Sequence, residues 1–212
     1  MKTIYYTASS LDGFLATEDD SLAWLFALGT SLEGENGSDS SYAAFIASVG
    51  ALAMGSATYE WLLRNPERVA AETGSPWPYT QPTWVFTTRR LAQIDGADLR
   101  FVRGDVRPVH RAMCHAAGTG NVWIVGGGEL AGQFHDAGLL DEMVVQIGSA
   151  TLGRGKPLFP RRLLAPSLRL LGSRRLGAEL VELHYALKPG PPGHTGPPQP
   201  KGEAPWATSM EL

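Results

Sequence analysis

Cysteine is nearly absent from this chain, since Cys114 is the single one among 212 residues. A disulfide framework within the chain is therefore impossible, and nothing supports a cysteine-based zinc site or any other metal site. Cys114 falls in a run with helical spacing, residues 106–117, where it is most simply a small packed residue. A role as nucleophile lacks a convincing histidine partner, because His110 and His115 on a surface helix are a common arrangement.

A basic surplus and a long apolar run are missing as well. The 18 Lys and Arg residues against 21 Asp and Glu residues give a net charge of −3, without a basic cluster. A nucleic-acid surface is therefore not indicated. No stretch approaches the roughly twenty apolar residues of a membrane span, and the first ten residues resemble a strand more than a signal peptide. We expect a cytoplasmic protein that binds neither membranes nor nucleic acids.

Glycine, by contrast, is abundant, and three consecutive glycines mark the most informative stretch. The apolar run 122–125 predicts a buried strand, and Gly126, Gly127 and Gly128 follow it directly before an expected helix at 129–137. Glycine lets a backbone approach a ligand closely, and a helix amino terminus favours an anion through its free N–H groups and dipole. The stretch indicates a dinucleotide site or simply a tight strand-to-helix turn, and it lacks the Rossmann Gly-x-Gly-x-x-Gly spacing.

Alternating strand and helix patterns predict an α/β fold with a mainly parallel central sheet and flanking helices. Strands are expected at 3–9, 51–54, 82–88, 98–102, 121–125 and 142–149, and helices at 21–28, beginning at a Ser21 cap, 42–49, 55–64, 106–117 and 129–137. Loops are expected at 29–40 and at 65–82, which holds four prolines. Strands 168–176 and 179–187 predict a C-terminal antiparallel hairpin. The domain is expected to span 1–187, and the Pro- and Gly-rich tail 188–212 to be disordered.

Three predicted strands are followed by residues that suit a ligand, and ligands collect at the carboxyl ends of parallel strands. These segments are 55–58, 87–90 and 126–128. The hydroxyls of the first segment open a helix and suit a phosphate, although Ser56 could equally be an ordinary cap. In the second segment Arg89 and Arg90 could hold the 2′-phosphate of NADP bidentately or form a solvated basic turn.

Five segments of the sequence occur in an order and spacing that carry a family resemblance. They read Ser-Leu-Asp-Gly-Phe-Leu-Ala (10–16), Met-Gly-Ser-Ala-Thr-Tyr-Glu (54–60), Val-Phe-Thr-Thr (85–88), Val-Trp-Ile-Val-Gly-Gly-Gly (122–128) and Leu-Gly-Arg-Gly-Lys-Pro-Leu-Phe (152–159). Over about residues 2–187 the chain resembles the dihydrofolate-reductase-like superfamily. Its bacterial branch, grouped with the C-terminal reductase domain of the bifunctional riboflavin-biosynthesis enzyme, is the nearest match. The resemblance implies a dihydrofolate-reductase-like fold, NADPH as hydride donor, a homodimer and a cis peptide at Gly126–Gly127.

The resemblance also implies roles for individual residues. Beside the nicotinamide it places Ala8, Leu15 and Ala16, and around the rest of the cofactor Gly55, Ser56, Thr58, Thr87, Thr88, Arg89, Val125, Gly126, Gly127, Gly128, Glu129 and Leu130. The substrate-side candidates are Ser21, Trp24, Tyr59 and Gln146. Asp12 is the candidate catalytic proton donor, or else a turn residue before Gly13.

Two departures from the dihydrofolate reductase pattern bear on the substrate. Ser21 stands where those enzymes carry an acid that binds the pterin ring, and Val145, followed by Gln146, stands where they carry a threonine. The leading hypothesis is an NADPH-dependent reductase that transfers hydride to a ring C=N or C=O of a small pterin- or pyrimidine-like substrate, with Asp12 or water as proton source. The alternative is a non-catalytic nucleotide- or metabolite-binding member of the same fold.

Overall fold

A computed structural model describes residues 1–29 and 41–187 of the chain. Its strands are β1 (Thr3–Ser10), β2 (Phe14–Ala16), β3 (Val49–Gly55), β4 (Thr83–Phe86), β5 (Leu99–Val102), β6 (Asn121–Gly126), β7 (Glu142–Gly148), β8 (Lys156–Pro157), β9 (Leu168–Leu176) and β10 (Leu180–Leu187). Its helices are α1 (Ala23–Phe26), α2 (Ser41–Ala47), α3 (Ser56–Arg64), α4 (Pro66–Thr73), α5 (Val106–Ala117) and α6 (Gly128–Asp136). Nearly all of the loop expected at 29–40, and the whole tail expected at 188–212, lie outside the described residues.

One central sheet has the strand order β5-β4-β3-β6-β1-β7-β10-β9. Neighbouring strands from β5 to β7 pair in parallel, whereas β10 runs antiparallel to both β7 and β9. The predicted α/β fold class, with its mainly parallel sheet and C-terminal hairpin, is confirmed. The short strands β2 and β8, which the sequence did not indicate, pair with each other in a separate antiparallel ladder.

Alternate residues of the central strands face two separate helical layers. Ala53 and Ile124 point into a core built with α5 and α6, around Met113 and Phe134. Met54 points to the opposite face, where α3 and α4 pack. Because strand side chains alternate in direction, consecutive apolar residues such as these indicate a sheet that is buried on both faces.

The connections that leave the neighbouring strands β3 and β6 run in opposite directions across the sheet. The chain runs from β3 through α3 to β4, toward one edge, and from β6 through α6 to β7, toward the other. Since β3 and β6 are neighbours, the two helices leave from adjacent strand ends on opposite faces. This is the topological switch point at which open α/β sheets form a ligand crevice.

Several local predictions need correction. The segment 65–82 is not wholly a loop, because Pro66 occupies the first turn of α4, where a proline costs no helix hydrogen bond, and Gly74 ends the helix at a φ of +78°. Helix 21–28 shrinks to α1, whose cap position is Leu22, so Ser21 is not the cap residue. The helix expected at 42–49 ends at Ala47 because Val49 already belongs to β3.

Candidate functional site

The carboxyl ends of β3 and β6 form the crevice at the switch point. A side chain on Gly55 would begin 3.8 Å from the carbonyl oxygen of Gly126 and from the amide nitrogen of Gly127. One on Gly126 would begin 3.2 Å from Thr58 Oγ1. The two strand ends therefore lie side by side, and glycine at both positions leaves no side chain between the two backbones.

Neither α3 nor α6, the two helices that start at the crevice, has a side chain that accepts a hydrogen bond from the amide groups of its first turn. Gly55 is the cap residue of α3 and Gly127 that of α6, both in extended conformation and neither able to supply a capping side chain. Ser56 is thus the first helical residue and not the ordinary cap that the sequence allowed. Uncapped amide groups and the positive end of the helix dipole make each amino terminus suited to an anion.

The glycine turn between β6 and α6 has the conformation that the resemblance implied. The Gly126–Gly127 peptide is cis, and Leu15 Cδ1 lies 3.9 Å from where a Gly127 side chain would start. At Gly128 an added side chain would collide with the carbonyl oxygens of Pro157 and Leu158, so the loop after β7 covers the start of α6. Leu15 of β2 thus places an apolar side chain beside the glycine turn.

Two predicted cofactor residues beside this turn, Leu130 and Val125, have side chains that pack in the hydrophobic cores. Leu130 is buried in the α6 core with Phe134, so only its backbone could contact a ligand in the crevice, and its cofactor role stays a prediction. Val125 is half-buried against the opposite core. These positions follow from the geometry of α6 and β6. Leu130 is the third residue of α6 and faces the sheet, and Val125 points to the opposite sheet face from Ile124 because strand side chains alternate.

The turn after β4 reaches across to α3. Thr87 Oγ1 accepts a hydrogen bond from the Arg89 amide at 3.0 Å, which orders the turn. The Arg89 guanidinium donates to Ser56 Oγ at 2.9 Å and to Glu60 Oε2 at 2.7 Å. The structure therefore brings two of the three predicted segments together, with a cation at the start of α3, while the side chain of Thr88 is exposed.

Asp12 binds a loop. Its carboxylate accepts hydrogen bonds from Ser10 Oγ at 2.6 Å and from the amides of Leu152 and Gly153 at 3.0 and 2.7 Å. These donors, with Ser10 first, hold the pKa of Asp12 below its ordinary value. An acid with a lowered pKa is a poor proton donor near neutral pH, so this geometry favours the turn role over the catalytic one.

Tyr59, a predicted substrate-side residue, lies in the core beneath α3. Its side chain is fully buried, donates through its hydroxyl to the Ala92 carbonyl at 2.6 Å, and packs edge-on against Trp77 and Phe101. It lies on the sheet-facing side of α3, where an aromatic ring contributes to the core. The sequence alone did not distinguish this face of α3 from the one that meets the crevice.

Gln146 belongs to a row of residues that crosses the sheet, in which Gln146 and Glu182 are buried polar residues. In register on four strands stand Ala8, Gln146, Glu182 and Arg174. Gln146 Nε2 donates to the Tyr6 hydroxyl at 2.6 Å and to Glu182 Oε2 at 3.1 Å, and Arg174 pairs with the other oxygen of Glu182. The amide nitrogen of Gln146 is thus committed to internal partners, and its substrate role stays a prediction.

The remaining predicted residues surround β2 and the end of β7. Trp24 Nε1 donates to the Leu15 carbonyl at 3.1 Å, and its ring lies against Gly148. Ser21 Oγ accepts from the Ala23 amide at 3.2 Å. Ala16 is buried under Gly155, whose side chain, if present, would collide with the Ala16 carbonyl. Trp24 and Ser21 therefore support the β2 segment, and Ala16 is covered by the loop that follows β7.

Arg161 is a residue near the crevice that sequence reasoning missed. Its guanidinium binds both carboxylate oxygens of Glu129, at 2.9 and 3.0 Å, and donates to Asp136 Oδ2 at 2.7 Å. Arg161 lies 32 positions from Glu129, so no local pattern indicates the pair. The one available signal was the spacing of Glu129, Gly132 and Asp136, which places two acids on one helix face with a gap between them.

Two classes of feature are not found in the part of the chain that the structure describes. No helix within residues 1–29 and 41–187 has both the length and the apolar character to cross a membrane. The same residues contain no group of three or more His, Cys, Asp or Glu side chains arranged to hold a metal ion. Cys114 lies 3.5 Å from His110 Nε2, and burial raises the pKa of its thiol, which disfavours a nucleophilic thiolate.

Comparisons with known proteins agree with this fold. The chain is 32% identical over 184 residues to the uncharacterized protein YwjB of Bacillus subtilis (strain 168), covering 87% of this chain and 97% of that protein. A structure described as "Putative riboflavin biosynthesis protein", from Shewanella sp. PV-4, matches with a TM-score of 0.69 and 27% identity over 89% of this chain and 99% of that one. The fold alone is shared with a dihydrofolate reductase from Enterococcus faecalis complexed with NADP(H), at a TM-score of 0.53, 14% identity and coverage of 88% and 95%.

The sequence also matches one protein family directly. Residues 63–181 match the family described as the RibD C-terminal domain. That range runs from α3 to β10 and includes both the Arg89 turn and the glycine turn of the crevice. With a match over more than half of its length and a relative above 30% identity, the chain belongs to the RibD C-terminal domain family, on a dihydrofolate-reductase-like fold.

Proposed function

We propose that this chain is an NADP(H)-dependent reductase of a small heterocyclic compound, pterin- or pyrimidine-like. The observation that carries the proposal is the crevice between β3 and β6, where two uncapped helix amino termini meet a glycine turn. Such a site suits the negatively charged phosphates of a dinucleotide. Membership of the RibD C-terminal domain family and the fold shared with an NADP(H)-bound dihydrofolate reductase support the same cofactor.

The residues at the crevice fit this cofactor. Amide groups at the starts of α3 and α6 would hold phosphate oxygens, and Arg89 would pair with a 2′-phosphate. Leu15 and Ala8 would line the nicotinamide, which, when NADPH is bound, supplies the hydride for a ring C=N or C=O. The protein itself contributes orientation and the exclusion of water.

The proton source separates this proposal from the alternative. Asp12 is held as a carboxylate by Ser10 and two loop amides, so a water molecule is the better proton donor. The same observation, together with the inward commitment of Gln146, favours a second candidate function. In that case the chain is a non-catalytic member of the fold that binds the nucleotide without turning over a substrate.

A tryptophan fluorescence titration with NADPH and with NADH tests the cofactor assignment. We expect the fluorescence quenching to show tighter binding of NADPH than of NADH. R89A should weaken NADPH binding, whereas the control R90A, at the exposed neighbouring arginine, should not. NADPH consumption is then followed with dihydrofolate and with pyrimidine ribosides. Binding without turnover on any pterin, pyrimidine or flavin would establish the alternative, and no binding of either nucleotide would exclude both.

We also propose that the chain forms a homodimer through the β9–β10 hairpin. β9 is an edge strand whose residues are exposed up to Leu176. Leu168, Leu170 and Val181 share one face of the hairpin and are 38%, 54% and 38% exposed. Exposed apolar side chains beside the edge of a sheet form a surface that a second copy can cover by isologous pairing.

A further inference from the structure

Arg161 spans the exposed face of α6 from its first turn to its last. Glu129 and Asp136 are seven positions apart, two helical turns, and the guanidinium binds both. Gly132 lies between them, and a side chain there would begin 2.6 Å from Arg161 Cζ. The glycine thus lets the guanidinium lie flat on the helix, with its side chain only 22% exposed.

The position of Glu129 makes this ion pair relevant to the crevice. Glu129 stands in the first turn of α6, directly after Gly127 and Gly128 at the amino terminus. A free carboxylate at this place would oppose any anion that the amide groups and dipole attract, because like charges repel at short range. Arg161 binds both of its oxygens and holds the pKa of Glu129 below its ordinary value, so Glu129 is ionised and its charge is offset by the guanidinium, which Asp136 shares.

We propose that Arg161 is a positioning and charge-neutralising residue that keeps the amino terminus of α6 able to receive a cofactor phosphate. It acts through Glu129, which it draws along the helix face away from the glycine turn. This inference rests on the proposed function, because it concerns the phosphate end of the proposed NADP(H) crevice. It assigns the segment after β8 a part in cofactor binding that the glycine turn alone does not reveal.

A purely structural role for Arg161 has to be separated from this one. Arg161 Nη1 also donates to the Pro160 carbonyl at 2.9 Å, and the preceding residues Pro157 and Leu158 cover Gly128. Loss of the side chain could therefore weaken cofactor binding by loosening this loop. Removal of the Glu129 charge distinguishes the two roles. It relieves the repulsion between Glu129 and a phosphate, but it does not restore the lost hydrogen bond between Arg161 and the Pro160 carbonyl.

The experiment compares NADPH binding by the wild-type protein and the variants R161M, R161K, E129Q and R161M/E129Q. R162M is the matched control, since Arg162 is the exposed neighbour. We expect R161M to raise the NADPH Kd by about three- to tenfold, and R161K to raise it less because it keeps the charge. E129Q removes the negative charge while Arg161 stays, so it should bind NADPH more tightly than the wild type, and the double variant should bind more tightly than R161M. Thermal unfolding of each variant, measured alongside, verifies that it is folded.

Each outcome decides between the roles. Rescue of R161M by E129Q supports charge neutralisation. An NADPH Kd of R161M equal to that of R162M overturns the inference. A raised Kd of R161M that E129Q fails to lower also overturns it, because Arg161 then acts by holding the loop in place. If the wild-type protein binds no NADPH, the proposed function itself fails and the inference falls with it, whereas a wild type that binds leaves the variants to decide.

Discussion

At the scale of single residues, we expect the pair of Arg89 and Glu60 to set the preference between NADPH and NADH. Arg89 stands over the first residue of α3 but shares its guanidinium with Glu60 Oε2. We predict that R89A weakens NADPH binding by about tenfold, the size of one charged hydrogen bond at an exposed site, and leaves NADH binding nearly unchanged. Isothermal titration calorimetry with both nucleotides measures the ratio.

Glu60 provides the opposite change. Because Glu60 competes with a phosphate for the same guanidinium, E60Q should hold or increase the preference for NADPH. The control is R90A, which removes a neighbouring exposed charge and should alter neither affinity. An E60Q protein that loses NADPH preference as R89A does would show that the ion pair itself, and not a free Arg89, shapes the site.

Asp12 predicts a pH dependence of stability. Its pKa is lowered in the folded protein, chiefly by Ser10, so its contribution is present above the ordinary carboxyl pKa of about 4 and is lost as the pH falls through the lower folded value. The melting temperature of D12N should therefore lie below that of the wild type near pH 7, and the two should converge under acid conditions. D95N, at another exposed position, serves as control. A difference between D12N and wild type that stays constant with pH would contradict the assignment.

At the scale of elements, close backbone contact at the start of α6 explains its glycines. A side chain on Gly128 would collide with the carbonyl oxygens of Pro157 and Leu158, which are backbone atoms and cannot rotate away. We predict that G128A destabilises the protein by about 1–3 kcal/mol, as overpacking does. G172A in β9, with open space around the added atom, should be close to neutral in the same urea unfolding experiment. Equal stability of the two variants would mean that the loop does not press on α6.

The elements with strong local patterns were predictable, and those that depend on distant contacts were not. The run before Gly126 and the hairpin about Gly177 matched β6, β9 and β10 because apolar alternation and glycine turns are local signals. The two- and three-residue strands β8 and β2 exist through pairing with each other. The four prolines of 65–82 predict a loop and so hide α4, although a proline such as Pro66 fits the first turn of a helix.

The candidate site divides in the same way. Gly55, Ser56, Arg89 and the glycine turn lie together because parallel strands bring their carboxyl ends to one edge, which strand prediction alone anticipates. The burial of Tyr59 could not be predicted, because sequence spacing does not decide which side of α3 faces the sheet. Arg161 could not be predicted since its partners on α6 are distant in sequence and become neighbours only through the fold.

At the scale of the whole molecule, the β9–β10 hairpin predicts the oligomeric state. Light scattering after size-exclusion chromatography should give twice the chain mass of 22.7 kDa for the wild type. L170D, in the exposed apolar face, should shift the protein toward the monomer, because a charge there would be buried without a partner. L11D, at an exposed leucine of the β1–β2 turn, should stay dimeric. A wild-type monomer, or a dimer that survives L170D, would remove this hairpin as the interface.

The central claim is that NADP(H) binds in the crevice between β3 and β6. The most direct measurement is an NMR titration of protein labelled with ¹⁵N at glycine, in which NADPH is added and each assigned amide is followed. We expect large shifts at Gly55, Gly126, Gly127 and Gly128, with Gly50 and Gly172 almost unmoved. Unchanged amides at the glycine turn, with or without shifts elsewhere, would contradict it.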